Sequence, residues 1–246
     1  MTDSLIFWGL APVAVLFAGV SKAGFGSGAA FAGAAVLALI LPPTQALGLM
    51  LPLLMLVDLA TLRPYWRKWH WPEARVLIFG GIPGVAVGVM LFRVADDNMI
   101  RLLIGVVSLA FVGFQLWPTR GARKPLPVGA GMLAGVAAGF TSFVSHAGGP
   151  PVAVFLLSRG MGKTAYQATT VLVFWAINIA KFVPYVFLGV FTAETLRAGV
   201  LLAPFALVGA WVGLRLHHAV SERVFFTFTY LLLTLTGVKL IFDALV

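Results

Sequence analysis

Apolar sequence comes in this chain as blocks long enough to cross a lipid bilayer, and that excludes most folds at once. Ten such segments run at about 5–21, 28–41, 45–62, 74–92, 99–117, 127–143, 149–158, 165–187, 197–214 and 222–242. Most approach the roughly 20 residues that a spanning helix needs. Hydrophobic residues are 61% of the 246 and charged residues 10%, more apolar side chain than a water-soluble domain of this length can hide. The runs are continuous rather than alternating, which argues against a membrane β-barrel. The fold class is therefore all-α: a polytopic integral membrane protein with eight to ten transmembrane or re-entrant helical segments.

Two segments are short. Segment seven, at 149–158, would make ~15 Å of helix, about half the hydrocarbon thickness. It follows the most polar stretch inside the apolar sequence, Gly139 to Pro151, which holds Thr141, Ser142, Ser145 and His146 before Gly148, Gly149, Pro150 and Pro151. Paired glycines weaken a helix, and paired prolines remove two backbone donors. In lipid, freed backbone groups are tolerated only where protein or a water-filled cavity surrounds them. Broken helices of this kind mark binding sites in transporters.

The two halves resemble one another in order. Ala18, Gly19 and Val20, then Gly24 and Phe25, close segment one; Ala134, Gly135 and Val136, then Gly139 and Phe140, close segment six. Gln45 and Ala46 open segment three, as Gln167 and Ala168 lie near the start of segment eight. Gly84 and Gly88 match Gly209 and Gly213. This reads as a duplication of five segments, residues 1–120 and 121–246, within one membrane domain.

The net charge of +9 is a topology signal rather than a nucleic-acid one. If segments one and two return to their starting side, and six and seven likewise, four loops share a face: 63–75, 117–127, 158–164 and 215–223. They carry eleven lysines and arginines; the other face has four, with most of the acids. The positive-inside rule then puts these loops in the cytoplasm, and both termini outside, in a multi-pass protein of the cell inner membrane. An odd number of passages per half makes the repeats inverted. The N-terminus has no basic stretch ahead of its apolar run, so a cleaved signal peptide is a poor reading. Without cysteine there is no disulfide.

Few ionisable groups fall within the apolar segments or at their breaks: Lys22, Asp58, His146 and Lys181. Charge in hydrocarbon is costly, so such groups usually face the bundle interior. Lys22 leads into Gly26, Ser27 and Gly28, the first-half counterpart of the broken stretch. Gly-rich turns and helix starts present N–H groups to anions. Plainer roles exist for each. Lys22 could snorkel to an interface. Asp58 could bridge to a lysine, Lys181 could serve packing beside Asn178 and Pro184, and His146 could bond a freed carbonyl. The aromatic and basic run from Tyr65 to Trp71 suits a headgroup anchor. Glycine pairs suit helix packing.

Enzyme patterns are weak. Ser145 and His146 are adjacent, which does not aim a base at a hydroxyl as a triad does. The run from Gly24 to Gly28 has Phe25 where an intramembrane serine protease has glycine. Gly162, Lys163 and Thr164 do not make a phosphate loop.

The stretch from Gly139 to Pro151, with Gly24 to Gly28 in the first half, resembles the sulfite exporter TauE/SafE family, over nearly the whole chain. The resemblance implies a membrane permease for small sulfur-containing anions such as sulfite or organosulfonates. It also implies that Ser27, Thr141, Ser142, Ser145 and His146 line the pathway. The expected function is thus secondary transport of such an anion, coupled to an ion gradient, with a passive anion channel as the alternative. Lys22, Gly26, Ser27, Gly28, Thr141, Ser142, Ser145, His146, Gly148 and Gly149 are expected to bind substrate. His146, Asp58 and Lys181 are expected to couple an ion, His146 being the side chain that titrates near neutrality. No catalytic residue, metal or cofactor is expected. The partners are the anion and the lipid bilayer, not nucleic acid, and a homo-oligomer is compatible with the sequence.

Overall fold

The computed structural model describes residues 4–25, 29–116, 125–216 and 222–246. Among them lie ten helices: α1 (Leu5–Gly24), α2 (Ala32–Leu37), α3 (Pro43–Leu62), α4 (Trp71–Phe92), α5 (Asp97–Leu116), α6 (Val128–Ser145), α7 (Gly149–Ser158), α8 (Lys163–Phe187), α9 (Ala193–Leu216) and α10 (Glu222–Leu245). Eight are long and apolar enough to cross a membrane. The protein is a polytopic helical membrane protein. Large apolar side chains such as Phe79, Met90, Val200, Trp211 and Leu231 stay exposed, as a lipid-facing surface requires.

The short segments fold back on their predecessors. In the second half, the main-chain N–H of Leu126, just before α6, donates to Ser158 Oγ at the end of α7, at 3.2 Å. Further along, Gly131 faces the Phe155 ring and Gly148 faces the Ala138 carbonyl. α6 and α7 therefore form a hairpin whose ends meet and whose tip is Ser145 to Gly148. α2 lies similarly along α1, with Gly33 against Ala14 and Ala18. Segment two is less helical than expected. Only Ala32–Leu37 is α-helix, and Leu39 and Ile40 donate to carbonyls three residues back. Pro42 and Pro43 follow, and proline at the start of α3 prevents α2 from running on.

α3 is the axis of the bundle, packing against α1, α2, α5, α8 and α9. α8 runs antiparallel to it: Gly48 meets Val190, Asp58 meets Asn178, and Tyr65 meets Ala168 and Val171. Around this pair α1 packs on α9, α6 on α4, and α5 on α10.

Those contacts bring backbones together. A Cβ on Gly84 would sit 2.1 Å from the carbonyl oxygen of Val136, and one on Gly139 the same distance from that of Gly81. A Cβ on Gly213 would sit 2.5 Å from the Val20 carbonyl oxygen. Small residues permit this approach, and close packing drives helix association where water does not. The contacts also correct the expected glycine register by one helical turn. Gly80 meets the Met132 carbonyl as Gly209 meets that of Leu16, and Gly84 meets Val136 as Gly213 meets Val20. Gly88 faces the Phe143 ring instead.

Candidate functional site

α6 ends at Ser145 because the chain turns left-handed at His146, with φ 59° and ψ 11°. The main-chain N–H groups of His146 and Ala147 then donate to the carbonyls of Ser142 and Thr141, at 3.0 and 3.3 Å. Glycine usually takes this cap position. A histidine there carries a backbone penalty of about 1–3 kcal/mol that its surroundings must hold down.

They do so through the ring. His146 Nε2 lies 3.1 Å from the Leu47 carbonyl oxygen, and Lys181 Nζ lies 2.9 Å from Nδ1. A carbonyl only accepts, so Nε2 carries the proton. With that proton on Nε2, a neutral imidazole offers Nδ1 as an acceptor to the Lys181 amine. Lys181 also donates to the carbonyl and the hydroxyl of Ser142, at 2.9 and 3.0 Å. The Tyr185 hydroxyl donates to the Phe143 carbonyl at 2.6 Å.

The first hairpin is organised by another set. Lys22 Nζ is 3.0 Å from Asp58 Oδ1, and Asn178 Nδ2 donates to Asp58 Oδ2 at 2.8 Å. Gln167 Nε2 donates to the Lys22 and Ala23 carbonyls, at 2.9 and 3.2 Å. The Tyr65 hydroxyl reaches the Ala23 carbonyl at 3.3 Å, and burial pushes that phenol up to about 12. Lys22 is 4% exposed, so it does not snorkel. Ser21, one residue before, is fully buried and its hydroxyl has no hydrogen-bond partner.

The Phe174 ring stands between the two sets. Its centroid is 5.7 Å from Lys22 Nζ, and a Cβ on Gly148 would sit 2.5 Å from its edge. Gly148 and Gly149 open α7 at this place.

Not every expected residue turns its side chain to this centre. Thr141 and Ser145 donate their hydroxyls to carbonyls of their own helix, Ala137 and Thr141, at 2.8 and 2.9 Å. Gly26, Ser27 and Gly28 lie outside the described residues. Lys22, Asp58, Ser142, His146 and Lys181 do converge. The sequence reading did not assign roles to Asn178, Gln167, Phe174 and Tyr185. Residues 167, 174, 178, 181 and 185 fall on one stripe of α8 at steps of three, four and seven, a signal present in the sequence.

Basic side chains outnumber acidic ones at this centre. Among the described residues, the buried amines, imidazoles and carboxylates are Lys22, Lys181, His146, Asp58 and Glu73. Glu73 lies apart at the start of α4, where His70 Nδ1 and, at 3.4 Å, Arg159 Nε meet it. The centre thus holds two amines, one carboxyl group and one imidazole.

A bundle of eight membrane-length helices with two broken hairpins and buried lysines at their tips belongs to the class of polytopic membrane proteins. A model of the family described as sulfite exporter TauE/SafE matches residues 11–240, and the chain belongs to that family. Membership makes it a membrane permease of a family that moves sulfur-containing anions, not a member of an enzyme class. No curated protein matches the chain, and no solved structure does.

Proposed function

We propose that the protein is a secondary transporter of a small anion, sulfite or an organosulfonate, across the cytoplasmic membrane, driven by a proton gradient. The observation that carries this reading is the charge imbalance between the hairpin tips. A buried ammonium is costly without an opposite charge, and Lys181 is ringed by neutral acceptors only. A tetrahedral oxyanion supplies the missing charge and several acceptors in one compact group. Lys22, Lys181 and Ser142 are its first partners in this reading. The α7 start at Gly148 and Gly149 adds main-chain N–H groups, as do Gly26, Ser27 and Gly28 from the first hairpin. Thr141 and Ser145 offer hydroxyl donors that leave the Ala137 and Thr141 carbonyls when the anion arrives. His146 and Asp58 are the proton-handling groups.

The two halves form inverted repeats in this reading. The antiparallel course of α3 and α8 supports it, as do the matched pairings of α1 with α9 and α6 with α4. The basic loops then face the cytoplasm and both termini lie outside.

The test is transport by the reconstituted protein. Vesicles loaded with unlabelled sulfite should accumulate labelled sulfite by counterflow, with saturation. Loss of pH-driven accumulation with exchange kept, in His146→Ala or in Asp58→Asn, tells which of the two carries the proton. A single-channel current without counterflow would make the protein a passive anion channel. No flux of sulfite, taurine or isethionate, alongside flux of carboxylates, would overturn the sulfur assignment.

A further inference from the structure

We propose that the site is built to take up one net negative charge, and that Asp58 is the internal anion that enforces this. The inference rests on the anion-transport reading and goes further, to the charge of the cargo and its exchange for a proton.

The geometry gives the count. Lys181 Nζ faces three groups, the Ser142 carbonyl, the Ser142 hydroxyl and His146 Nδ1. Three acceptors match the three N–H bonds of an ammonium, the form inferred for Lys181. Lys22 is a second ammonium, at 3.0 Å from Asp58 Oδ1. His146 is neutral, since its protonated Nε2 faces a carbonyl and its Nδ1 faces a donor. Two positive charges and one negative leave one positive. At the second tip the negative end of α6 lies beside the positive start of α7, so the helix dipoles oppose one another and do not cancel that charge.

The groups facing Asp58 can be named helix by helix. α1 brings Lys22 and α8 brings Asn178 and Lys181, and His146 of the α6–α7 turn meets Lys181. α2 has no titratable side chain. Those at the ends of α5 and α9, namely Asp97, Arg101, Glu194, Arg197 and Arg215, are partly or fully exposed.

A monoanion balances the site as it stands. A dianion exceeds it by one charge and competes with Asp58 for Lys22. Asn178 holds Oδ2, so Oδ1 is the oxygen that Lys22 vacates. A proton from water then adds to Oδ1, and the neutral acid keeps its bond from Asn178. The site returns to balance with one dianion and one proton bound. Asp58 therefore sorts cargo by charge and ties a dianion to a proton.

Calorimetric titration of the purified full-length protein tests this, in buffers of different ionisation enthalpy, with methanesulfonate and sulfate as fixed-charge probes. Methanesulfonate should bind with no proton uptake. Sulfate should bind with uptake of one proton, and its affinity should fall about tenfold per pH unit while Asp58 is ionised in the free protein. In Asp58→Asn, sulfate should bind without proton uptake and without that pH slope. The wild-type proton count stands by itself if the variant does not fold. Equal proton counts for both anions would overturn the inference and leave the anion reading in place. So would sulfate failing to bind at any pH while methanesulfonate binds. A proton still taken up with sulfate by Asp58→Asn would move the role to His146 and overturn that of Asp58. Failure of both anions to bind would overturn the anion reading itself.

Discussion

The two hairpin tips meet the same difficulty with different chemistry. Each ends a helix inside the bundle, and each puts a lysine beside its last turn. At the first tip Lys22 meets a carboxylate, and Gln167 and Tyr65 cap the freed carbonyls. At the second, Lys181 meets a carbonyl, a hydroxyl and an imidazole, with Tyr185 as the further cap. The first arrangement is closed in charge and the second is not. Buried ion pairs hold structure in place, whereas an unbalanced buried ammonium needs a partner from outside. On the proposed reading the first tip lends the anion a lysine already paired with a carboxylate, and the second lends one that is not.

The largest effects should come from the seams that hold the tips apart. Gly84→Leu puts a side chain into the Val136 carbonyl, and Gly213→Leu puts one into that of Val20. Both variants should fail to give monodisperse protein on size-exclusion chromatography. A well-behaved Gly213→Leu beside a collapsed Gly84→Leu would break the equivalence of the two seams.

Next is Lys22→Met, which strands Asp58. Removing one partner of a buried pair costs about 3–5 kcal/mol. Unfolding in denaturant should show a loss of that order, and Lys22→Met with Asp58→Asn should recover most of it. No recovery would mean that Lys22 acts through something other than Asp58.

Lys181→Met should do the reverse. It removes a charge without stranding one, so the melting temperature should change little. Sulfite affinity should fall about 100-fold or more, consistent with ~3 kcal/mol for a charged hydrogen-bonded contact. A variant destabilised as much as Lys22→Met would erase the contrast between the tips.

The smallest effects should separate the two tyrosines. Tyr185→Phe loses a bond of 2.6 Å and Tyr65→Phe one of 3.3 Å. Interhelical hydrogen bonds in membranes average about 0.6 kcal/mol, so the first should approach ~1 kcal/mol and the second should be barely measurable. Equal losses in chemical denaturation would show that distance does not set their worth.

Much of this was legible before any coordinates. Run length gave the long helices, and the Gly–Gly–Pro–Pro break gave the second tip. Lys22, Asp58, His146 and Lys181 stood out because ionisable groups are rare in apolar sequence. Their pairing was less legible. Asp58 lies 36 residues from Lys22 and 120 from Asn178, and no local periodicity encodes which partner a carboxylate takes. Asn178 and Gln167 are common enough on helices to attract little notice until the stripe on α8 is drawn out. The glycine register was off by a turn because glycines four apart occur twice in α4, and only the facing backbone distinguishes them.

The glycine seams have a mechanical consequence. A layer of side chains yields to a small displacement by changing rotamers, whereas two main chains in contact have nothing to rotate. α1 with α9, and α4 with α6, are therefore splinted into two stiff beams. Between the beams stand α3 and α8, joined midway by the Asp58–Asn178 hydrogen bond rather than by facing backbones. Lys22, Asp58, His146 and Lys181 lie at that joint, so whatever shifts the beams must first rearrange them.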